Sequence, residues 1–512
     1  MVNNKLFSSK SQLVQNEAGG LAYESSARHA LAQIACTGYF QDTFYAKAED
    51  ILKTVQEKIA EVIKEPDGLT FIAKLAIYSR EKAHMKDMPS FLCARLASNK
   101  KSHLLRKAFP RCINNAKQLR SFIQICRSME INVSRRSIKN LVRQWFDSVS
   151  YMELLNSKVG NDPTIQDIIK MCHVKVKDPR KQEALKYLLG LTYNTDLLPE
   201  EFVQFENFKK GISKEVPLGL DFRLLDGCST KDQLRSIWEK QAERRSWHTV
   251  RMNLNNFLKY GVFQTSRYTG LVCDTLTDVT NVKAMLYQVF TTYKNISQDM
   301  PFEVQQALHD CIDKSVDKVP EITGNLAICV DVSGSMSSPV SQNSKVTYID
   351  IAALFACSIL RRNPSAKLIP FDTAVRNVRI DPRDTILTNA DKLAQLGGGG
   401  TYCSIALQHI LNQPEMPDKI IFLSDNQSWV DISTSSNATE YQKKWKKILS
   451  KNPSCKLVCI DIAPYTTSQC KDRSNILKVG GFSDAVFDVV KEFLENSVEK
   501  DRWKTIIESI SI

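Results

Sequence analysis

The apolar rhythm of this chain changes once, near residue 320, and that change bounds every fold the chain can adopt. Before it, apolar residues recur at helical spacing; after it, short wholly apolar runs alternate with helical stretches. The spacing predicts helices over Ala27–Ile34, Asp50–Ile63, Leu69–Arg80, Leu119–Met129, Ser137–Phe146, Thr164–Met171, Lys181–Leu189, Lys231–Gln241, Ser246–Tyr260 and Asp278–Tyr293. Leu69, Ile72, Leu75 and Ala76 form one such stripe. Asp67-Gly68 and Asn161-Asp162-Pro163 are start signals for two of them.

Many short helices with short connections, and no strict sequence period, predict a degenerate all-α array of stacked hairpins of the HEAT or armadillo type. Beyond Pro320–Gly324 the expected order is strand Asn325–Val332, helix Tyr348–Arg362, strand Ala366–Phe371, helices Thr388–Leu396 and Ser404–Leu411, and strand Lys419–Leu423. Helix Tyr441–Leu449, strand Lys456–Ile462, a short strand near Ala485–Phe487 and helix Val489–Asn496 follow. Such alternation implies an α/β, doubly wound (Rossmann-like) parallel sheet covered on both faces. The expected domains are therefore 1–320, helical, and 321–512, α/β.

Composition narrows the class. A chain of 512 residues, 43% hydrophobic and 24% charged, has the makeup of a multidomain globular protein with well-filled cores. No apolar stretch reaches the roughly 18 residues of a membrane span, and Met1–Gln15 is polar, without the apolar centre of a secretory leader. The 14 cysteines include no CxxC pair, and most sit among apolar neighbours, as reduced thiols do. A monomer in a reducing, cytoplasmic compartment is the expectation, with no membrane partner.

Charge is unevenly spread. Residues 1–320 hold 47 basic and 35 acidic side chains, so they carry +12 of the chain's net +13. Within 101–150 there are 11 basic residues against two acidic ones, Glu130 and Asp147. A field that concentrated attracts polyanions, with nucleic acid the first candidate. Arg136, Lys139 and Arg143 fall at i, i+3 and i+7 on one helix face, and Arg120 and Arg127 repeat the spacing one helix earlier. Parallel basic stripes on consecutive helices suit a phosphate backbone.

The second part carries a different chemistry. Asp331-Val332-Ser333-Gly334-Ser335 begins where the first strand ends, the edge at which open α/β sheets bind ligands. Thr401 follows the run Gly397–Gly400, whose missing Cβ atoms allow close backbone approach, and Asp425 ends another strand. Two carboxylates and three hydroxyls are hard oxygen donors for a divalent cation. So few charges leave the ion electron-poor, with a position open to a partner's carboxylate or phosphate. GGGGT is not a phosphate-binding P-loop, because no GK[ST] follows it.

These residues resemble the von Willebrand factor A (vWA) domain and its metal-ion-dependent adhesion site, MIDAS. The resemblance implies Mg2+ or Mn2+ held by Asp331, Ser333, Ser335, Thr401 and Asp425. Earlier stretches resemble the Ro/TROVE family of RNA-binding ribonucleoproteins: Asn16–Gly20 with Tyr23, Asp67–Arg80, His84–Pro89, Asp167–Lys175 and Arg251–Phe263. The resemblance covers most of 16–300, and the order of helical array then A domain matches end to end. It implies that HEAT-like helices close into a ring, that single-stranded 3′ ends of misfolded RNAs enter a basic hole, and that small noncoding Y RNAs bind the outer surface. It also implies a role in noncoding-RNA quality control with an exoribonuclease as partner. By the same resemblance Lys170, His173 and Lys175 belong to the Y RNA region. His248 and Arg251, with Arg244 and Arg245 a turn earlier, face the hole. The chain departs from the family pattern at Thr37–Tyr45, where a glycine-rich stretch is usual, at Tyr402 and at Gln427, where acidic residues are usual.

Catalysis has little support in the sequence. It shows no HExxH, no Ser/His/Asp motif and no nucleotide loop, so a binding protein rather than an enzyme is expected. The competing expectation is a metal-dependent protein-interaction scaffold, against which the basic bias of 1–320 speaks. A weaker third is a metal-dependent nuclease.

Overall fold

The computed structural model describes residues 13–16, 18–37, 47–99, 102–225, 230–244, 246–278, 286–341, 344–428, 439–463, 465–471, 473–495 and 502–512. The chain forms two compact units. One comprises residues 1–68 and 276–510; the other comprises 69–275 with the last two residues. Compactness therefore divides the chain differently from the change of rhythm near 320, because the first 68 residues and the helices Leu286–Asn295 and Phe302–Ser315 join the α/β unit.

Among the described residues the first unit holds eight strands: β1 (Leu13–Gln15), β2 (Leu21–Glu24), β3 (Leu326–Asp331), β4 (Lys367–Phe371), β5 (Lys419–Ser424), β6 (Lys456–Asp461), β7 (Thr467–Ser468) and β8 (Ile476–Gly480). Five of them form a parallel sheet in the order β4-β3-β5-β6-β8. β3 is buried along its whole length, which is why it reads as a continuous apolar run rather than an alternating one. Helices Tyr348–Arg362, Cys403–Leu411, Glu440–Lys451 and Ala485–Glu495 accompany the sheet. Phe371, Phe422 and Tyr441 form a chain of rings in its core, with centroids 4.9 and 5.2 Å apart. The strand expected near Ala485–Phe487 is instead the start of a helix, and the last strand is β8. Val486, Phe487, Val489 and Val490 recur at helical spacing and are buried, whereas β8 carries Lys478 in its middle and hides its apolar signal.

An antiparallel sheet, β1-β2-β7, adds strands to a region expected to be all-helical. Its hairpin is closed by Asn16, whose Oδ1 accepts from the Gly20 amide at 2.7 Å. Asn16 Nδ2 also donates to the Ser428 carbonyl at 2.9 Å. Farther on, Gln33 donates to the carbonyls of Asp461 and Ala463, and Arg28 bridges Glu65 and Glu508 at 2.6 Å each. These buried polar contacts fix residues 13–37 to the α/β unit. Apart from Thr37, the stretch Thr37–Tyr45 lies outside the described residues.

The second unit is helical. Asp87–Ala97 packs on Ser102–Cys112 and on Ala116–Ser128; Ser102–Cys112 packs on Arg136–Ser148; and Ala116–Ser128 and Arg136–Ser148 both pack on Ile165–Cys172. Most of these contacts join next or next-but-one neighbours, as in stacked hairpins. Helix Arg136–Ser148 buries Ile138, Leu141, Val142, Trp145 and Phe146, one stripe at i, i+3, i+4, i+7 and i+8. Burying each of the larger side chains is worth about 1.5–3 kcal/mol. Thr164 and Asp167 form a reciprocal capping box, so the helix expected from Thr164 begins one residue later, at Ile165. Gly190, with φ +70°, ends the helix Pro179–Leu189 in the left-handed turn that favours glycine.

Several helices, among them Glu200–Lys209, Ser266–Thr277 and Phe302–Ser315, were not expected from the periodicity, and two of those missed have a plain physical reason. Asp87–Ala97 is buried nearly all round and so lacks a polar face, and Ser102–Cys112 carries Pro110. The stretch expected as one helix over Ser246–Tyr260 is two, Trp247–Met252 and Leu254–Lys259, divided at Asn253.

Candidate metal centre and nucleic-acid interface

At the carboxyl end of β3 the chain turns sharply. The Ser333 amide donates to Asp331 Oδ1 at 2.9 Å, which folds Ser333 and Ser335 back toward that carboxylate, and their hydroxyl oxygens lie 3.2 Å apart. Asp331 Oδ2 accepts from the Ser424 hydroxyl at 2.7 Å, linking β3 to the end of β5. Asp425 follows immediately and is held by the Gln427 amide at 3.0 Å. The glycine loop is tied alongside: the Gly334 amide donates to the Gly399 carbonyl at 2.8 Å, and the Gly398 amide to the Val332 carbonyl at 3.3 Å. A Cβ on Gly399 would stand 2.5 Å from Asp372 Oδ2, so this approach requires glycine.

Asp331, Ser333, Ser335, Thr401 and Asp425 are all buried. Burial first, and then repulsion from Asp425, pushes the Asp331 carboxyl up to about 7. The Thr401 hydroxyl is buried with no hydrogen-bond partner among the described residues. Two buried carboxylates in mutual repulsion beside an unsatisfied hydroxyl oxygen are the environment a hard cation relieves, so the donor set fits one.

The positions that depart from the family pattern are legible as well. Lys444 Nζ lies 5.1 Å from the Tyr402 ring centroid and donates to Ser404 at 2.7 Å, so a cation faces the position where an acidic residue is usual. Gln427 is fully buried, and neither end of its amide has a partner among the described residues. Asp461, which the sequence reading missed, sits at the end of β6 opposite Ser424 and is held by Asn426 Nδ2. Burial pushes its carboxyl well up, Lys478 opposes this, and Asp425 adds to it. Its position at the end of a third strand, after KLVCI, was the available signal.

In the helical unit the basic residues divide into three groups. Lys139 and Arg143 both lie in electrostatic range of Cys172, at the end of the helix that carries Lys170. Arg143 Nη2 donates to the His173 carbonyl at 3.0 Å, while its buried Nε–H has no acceptor among the described residues. His173 caps that helix in a left-handed turn and, like Lys170 and Lys175, is exposed. Arg127 and Lys170 both act on Asp167, and Arg127 pairs loosely with Asp162 at 3.6 Å. Arg136 is exposed at the head of its helix. Two packed helices and a third beside them thus bring Arg127, Lys139, Arg143, Lys170 and His173 together.

Arg120 belongs to a second, structural group. Its guanidinium donates to the Ser157 carbonyl at 3.2 Å and lies where a side chain on Gly160 would stand, and burial lowers its pKa.

The third group forms around Arg251, which is only 6% exposed, packs 5.5 Å from the Trp247 ring centroid, and has Nη2 3.4 Å from His248 Nδ1. His248 is held below the ordinary histidine range by desolvation first, then by Arg251 and Lys86. Lys86 is itself lowered by desolvation, then by Lys117, Arg80 and Arg251, with Asp87 opposing. The structure therefore gathers Arg80, Lys86, Lys117, His248 and Arg251 from three helices and a loop. Lys86 and Lys117 were missed from the sequence, although Lys86 lies in the stretch His84–Pro89. Arg245 lies outside the described residues, as does the side chain of Arg244.

Residues 325–494 match the family described as the Ro60 vWA domain. The α/β sheet is a Ro60-type vWA domain. Over 515 aligned residues the chain is 21% identical to the RNA-binding protein RO60 of Deinococcus radiodurans, covering 95% of this chain and 96% of that protein. The crystal structure of the Deinococcus radiodurans RO (RSR) protein superposes with a TM-score of 0.57 at 16% identity, covering 92% of this chain and all of the other. The Ro/TROVE resemblance drawn from the sequence thus extends along nearly the whole chain, and the helical array followed by a vWA domain is the fold of that relative.

Every described cysteine but Cys273 is buried. No helix among the described residues is long and apolar enough to cross a membrane.

Proposed function

We propose that this chain is an RNA-binding protein of the ribonucleoprotein type. Its helices form a basic ring that takes the single-stranded 3′ ends of misfolded noncoding RNAs, and its outer surface binds Y-like small RNAs. The observation that carries the reading is the convergence of Arg127, Lys139, Arg143, Lys170 and His173 on three packed helices. Phosphates satisfy such clusters without reading sequence. The second cluster, around Lys86 and Arg251, joins helices far apart in the chain and supports an array that returns on itself, with its basic groups positioned for a strand end. Residues Lys175 and Arg136 extend the first cluster, while Arg120 is held against Ser157 and serves the unit structurally. The similarity to an RNA-binding RO60 points the same way.

In the vWA domain, Asp331, Ser333, Ser335, Thr401 and Asp425 would hold Mg2+ or Mn2+. The ion supplies an open coordination position for an acidic group when bound. The chain works in noncoding-RNA quality control in the cytoplasm, as a monomer that hands RNA to an exoribonuclease, and does not itself cleave.

The test is a gel-shift titration with a structured RNA bearing a single-stranded 3′ tail, comparing wild type with the triple variant Arg136→Glu, Lys139→Glu, Arg143→Glu. Affinity should fall at least about tenfold with the fold intact, and if roughly six phosphates are neutralised the wild-type slope of log affinity against log salt should lie near −4. Unchanged affinity sinks the assignment. The scaffold reading would draw on the same residues, since a cation held by Asp331, Ser333, Ser335, Thr401 and Asp425 would attract an acidic group. Cation-dependent capture of an acidic peptide by a chain that shifts no RNA would establish it. Mg2+-dependent cleavage of labelled RNA that is lost in Asp331→Ala would overturn the non-enzymatic reading.

A further inference from the structure

The helical unit contains a cavity of about 630 Å3 that neither basic cluster accounts for. Its lining includes Phe222, Trp238, Asn253, Asn256, Lys259 and Tyr260, so it is built partly from the stretch Arg251–Phe263. The aromatic rings form a graded stack. Phe222 and Trp238 have centroids 4.2 Å apart at 34°, Trp238 and Tyr260 lie nearly parallel at 6.1 Å and 20°, and Phe222 and Tyr260 are 5.4 Å apart and inclined at 54°. Trp238 is 3% exposed and its indole N–H has no hydrogen-bond partner among the described residues, while Phe222 and Tyr260 are half-buried.

The polar wall is equally ordered. Asn253 donates to the Thr249 carbonyl at 2.8 Å, and Asn256 donates to Asn253 Oδ1 at 3.0 Å, which orients the Asn256 amide. Across the cavity, Asn156 clamps the loop that carries Phe222, donating to the Gly219 carbonyl at 2.9 Å and accepting from the Asp221 amide at 2.6 Å. Lys259 is exposed at the lining, with Nζ 5.1 Å from the Tyr260 ring centroid and no carboxylate partner among the described residues.

A half-buried aromatic ring, an oriented amide and an ammonium without a carboxylate partner among the described residues match the three parts of a nucleotide: a π face, a hydrogen-bonding edge and a phosphate. We propose that this cavity takes one unpaired nucleobase of a bound RNA, stacked on Tyr260 with Phe222 inclined at its edge, with Asn256 at the base edge and Lys259 at its phosphate. The inference rests on the RNA-binding reading for its ligand, but its geometry is independent of both basic clusters. Asn256 keeps its amide oxygen and second N–H for an occupant, and a purely apolar occupant would use neither these nor the Lys259 ammonium, so a base with its phosphate is the better match.

The experiment uses the full chain with AMP as probe and ribose 5-phosphate as the baseless control, read by ligand-observed NMR. AMP should bind at least about tenfold more tightly than ribose 5-phosphate, Tyr260→Leu should remove about tenfold, and Tyr260→Phe should retain binding within about threefold. Retention in the phenylalanine variant excludes a folding defect as the cause of loss. Equal binding of the two probes, or AMP binding untouched in Tyr260→Leu, overturns the proposal. The outcomes also separate it from the proposed function. RNA shifted without AMP binding sinks the cavity alone, and AMP bound by a chain that shifts no RNA leaves the base site standing while the ring reading falls.

Discussion

The vWA site and the basic clusters are assembled in opposite ways. At the vWA site, neighbouring strands of a parallel sheet deliver Asp331 and Asp425 to one edge, and main-chain turns fold the serines and the glycine loop onto them. Every ligand candidate is buried, and its position follows from backbone hydrogen bonds. In the helical unit the charged groups stand at the ends of long side chains on separate helices and meet only because those helices pack. The first arrangement is a short-range construction with little tolerance. The second is a long-range one, whose members can be lost singly with graded effects.

The largest effect should come from the tightly built site. Without a cation, the Asp331–Asp425 repulsion opposes folding, so added Mg2+ or Mn2+ should raise the thermal midpoint of wild type. At a hundredfold excess over Kd the stabilisation is about 2.7 kcal/mol. Asp331→Asn removes a donor and the repulsion together, so it should abolish the cation response while leaving the metal-free protein at least as stable. Calorimetric melts with and without Mn2+ decide it; a response that survives Asp331→Asn means the ion binds elsewhere. Gly399→Ala should cost about 1–3 kcal/mol through the clash with Asp372 and weaken the same response.

The difference in construction also explains how much could be read in advance. The ligand candidates of the vWA site are adjacent in sequence or sit at strand ends, so a motif and a strand pattern locate them. The parallel sheet was legible except at β8, where Lys478 interrupts the apolar run. Helix faces were legible too, and the convergence of Lys139 and Arg143 with Lys170 and His173 follows from them. Burial was not: Arg120 and Arg251 look like surface arginines in sequence, but one is held against Ser157 and Gly160 and the other packs on Trp247. Nor could periodicity reveal that Lys86 and Lys117 share a neighbourhood with residues some 130 or more positions away. Likewise the β1–β2 hairpin depends on a partner strand, β7, more than 400 residues on.

Graded loss can be tested on the helical side. Lys86→Glu with Lys117→Glu should weaken binding of a single-stranded 3′ tail about tenfold and make the salt slope shallower by about 1.4, two phosphates' worth. Arg120 and Arg127 then sharpen the comparison between structural and free charge. Arg127→Met should lower RNA affinity about two- to fivefold without changing the melt, since it removes one exposed charge. Arg120→Met should instead destabilise the unit by about 1–3 kcal/mol, because it strands the Ser157 carbonyl and empties the space beside Gly160. Equal effects of the two variants on RNA and on stability would erase the distinction.

The smallest expected effect tests whether the cluster around Arg251 meets phosphate at all. Desolvation, Arg251 and Lys86 hold His248 below the ordinary histidine range, so the imidazole is neutral at pH 7. In the free protein its protonation is resisted by the fold. The unfolded chain binds that proton more readily, so the contribution of His248 to stability is present above about 6.5 and is lost as pH falls through the lower folded value. Phosphate beside the ring reverses the preference by favouring the imidazolium. Affinity for a single-stranded 3′ tail should therefore rise about two- to fivefold as pH falls from about 7.5 to 5.5, and His248→Gln should flatten that rise while keeping the affinity at pH 7.5. A rise of equal size in the glutamine variant would assign the proton to another group, and no rise in wild type would place the RNA away from Arg251 and Lys86.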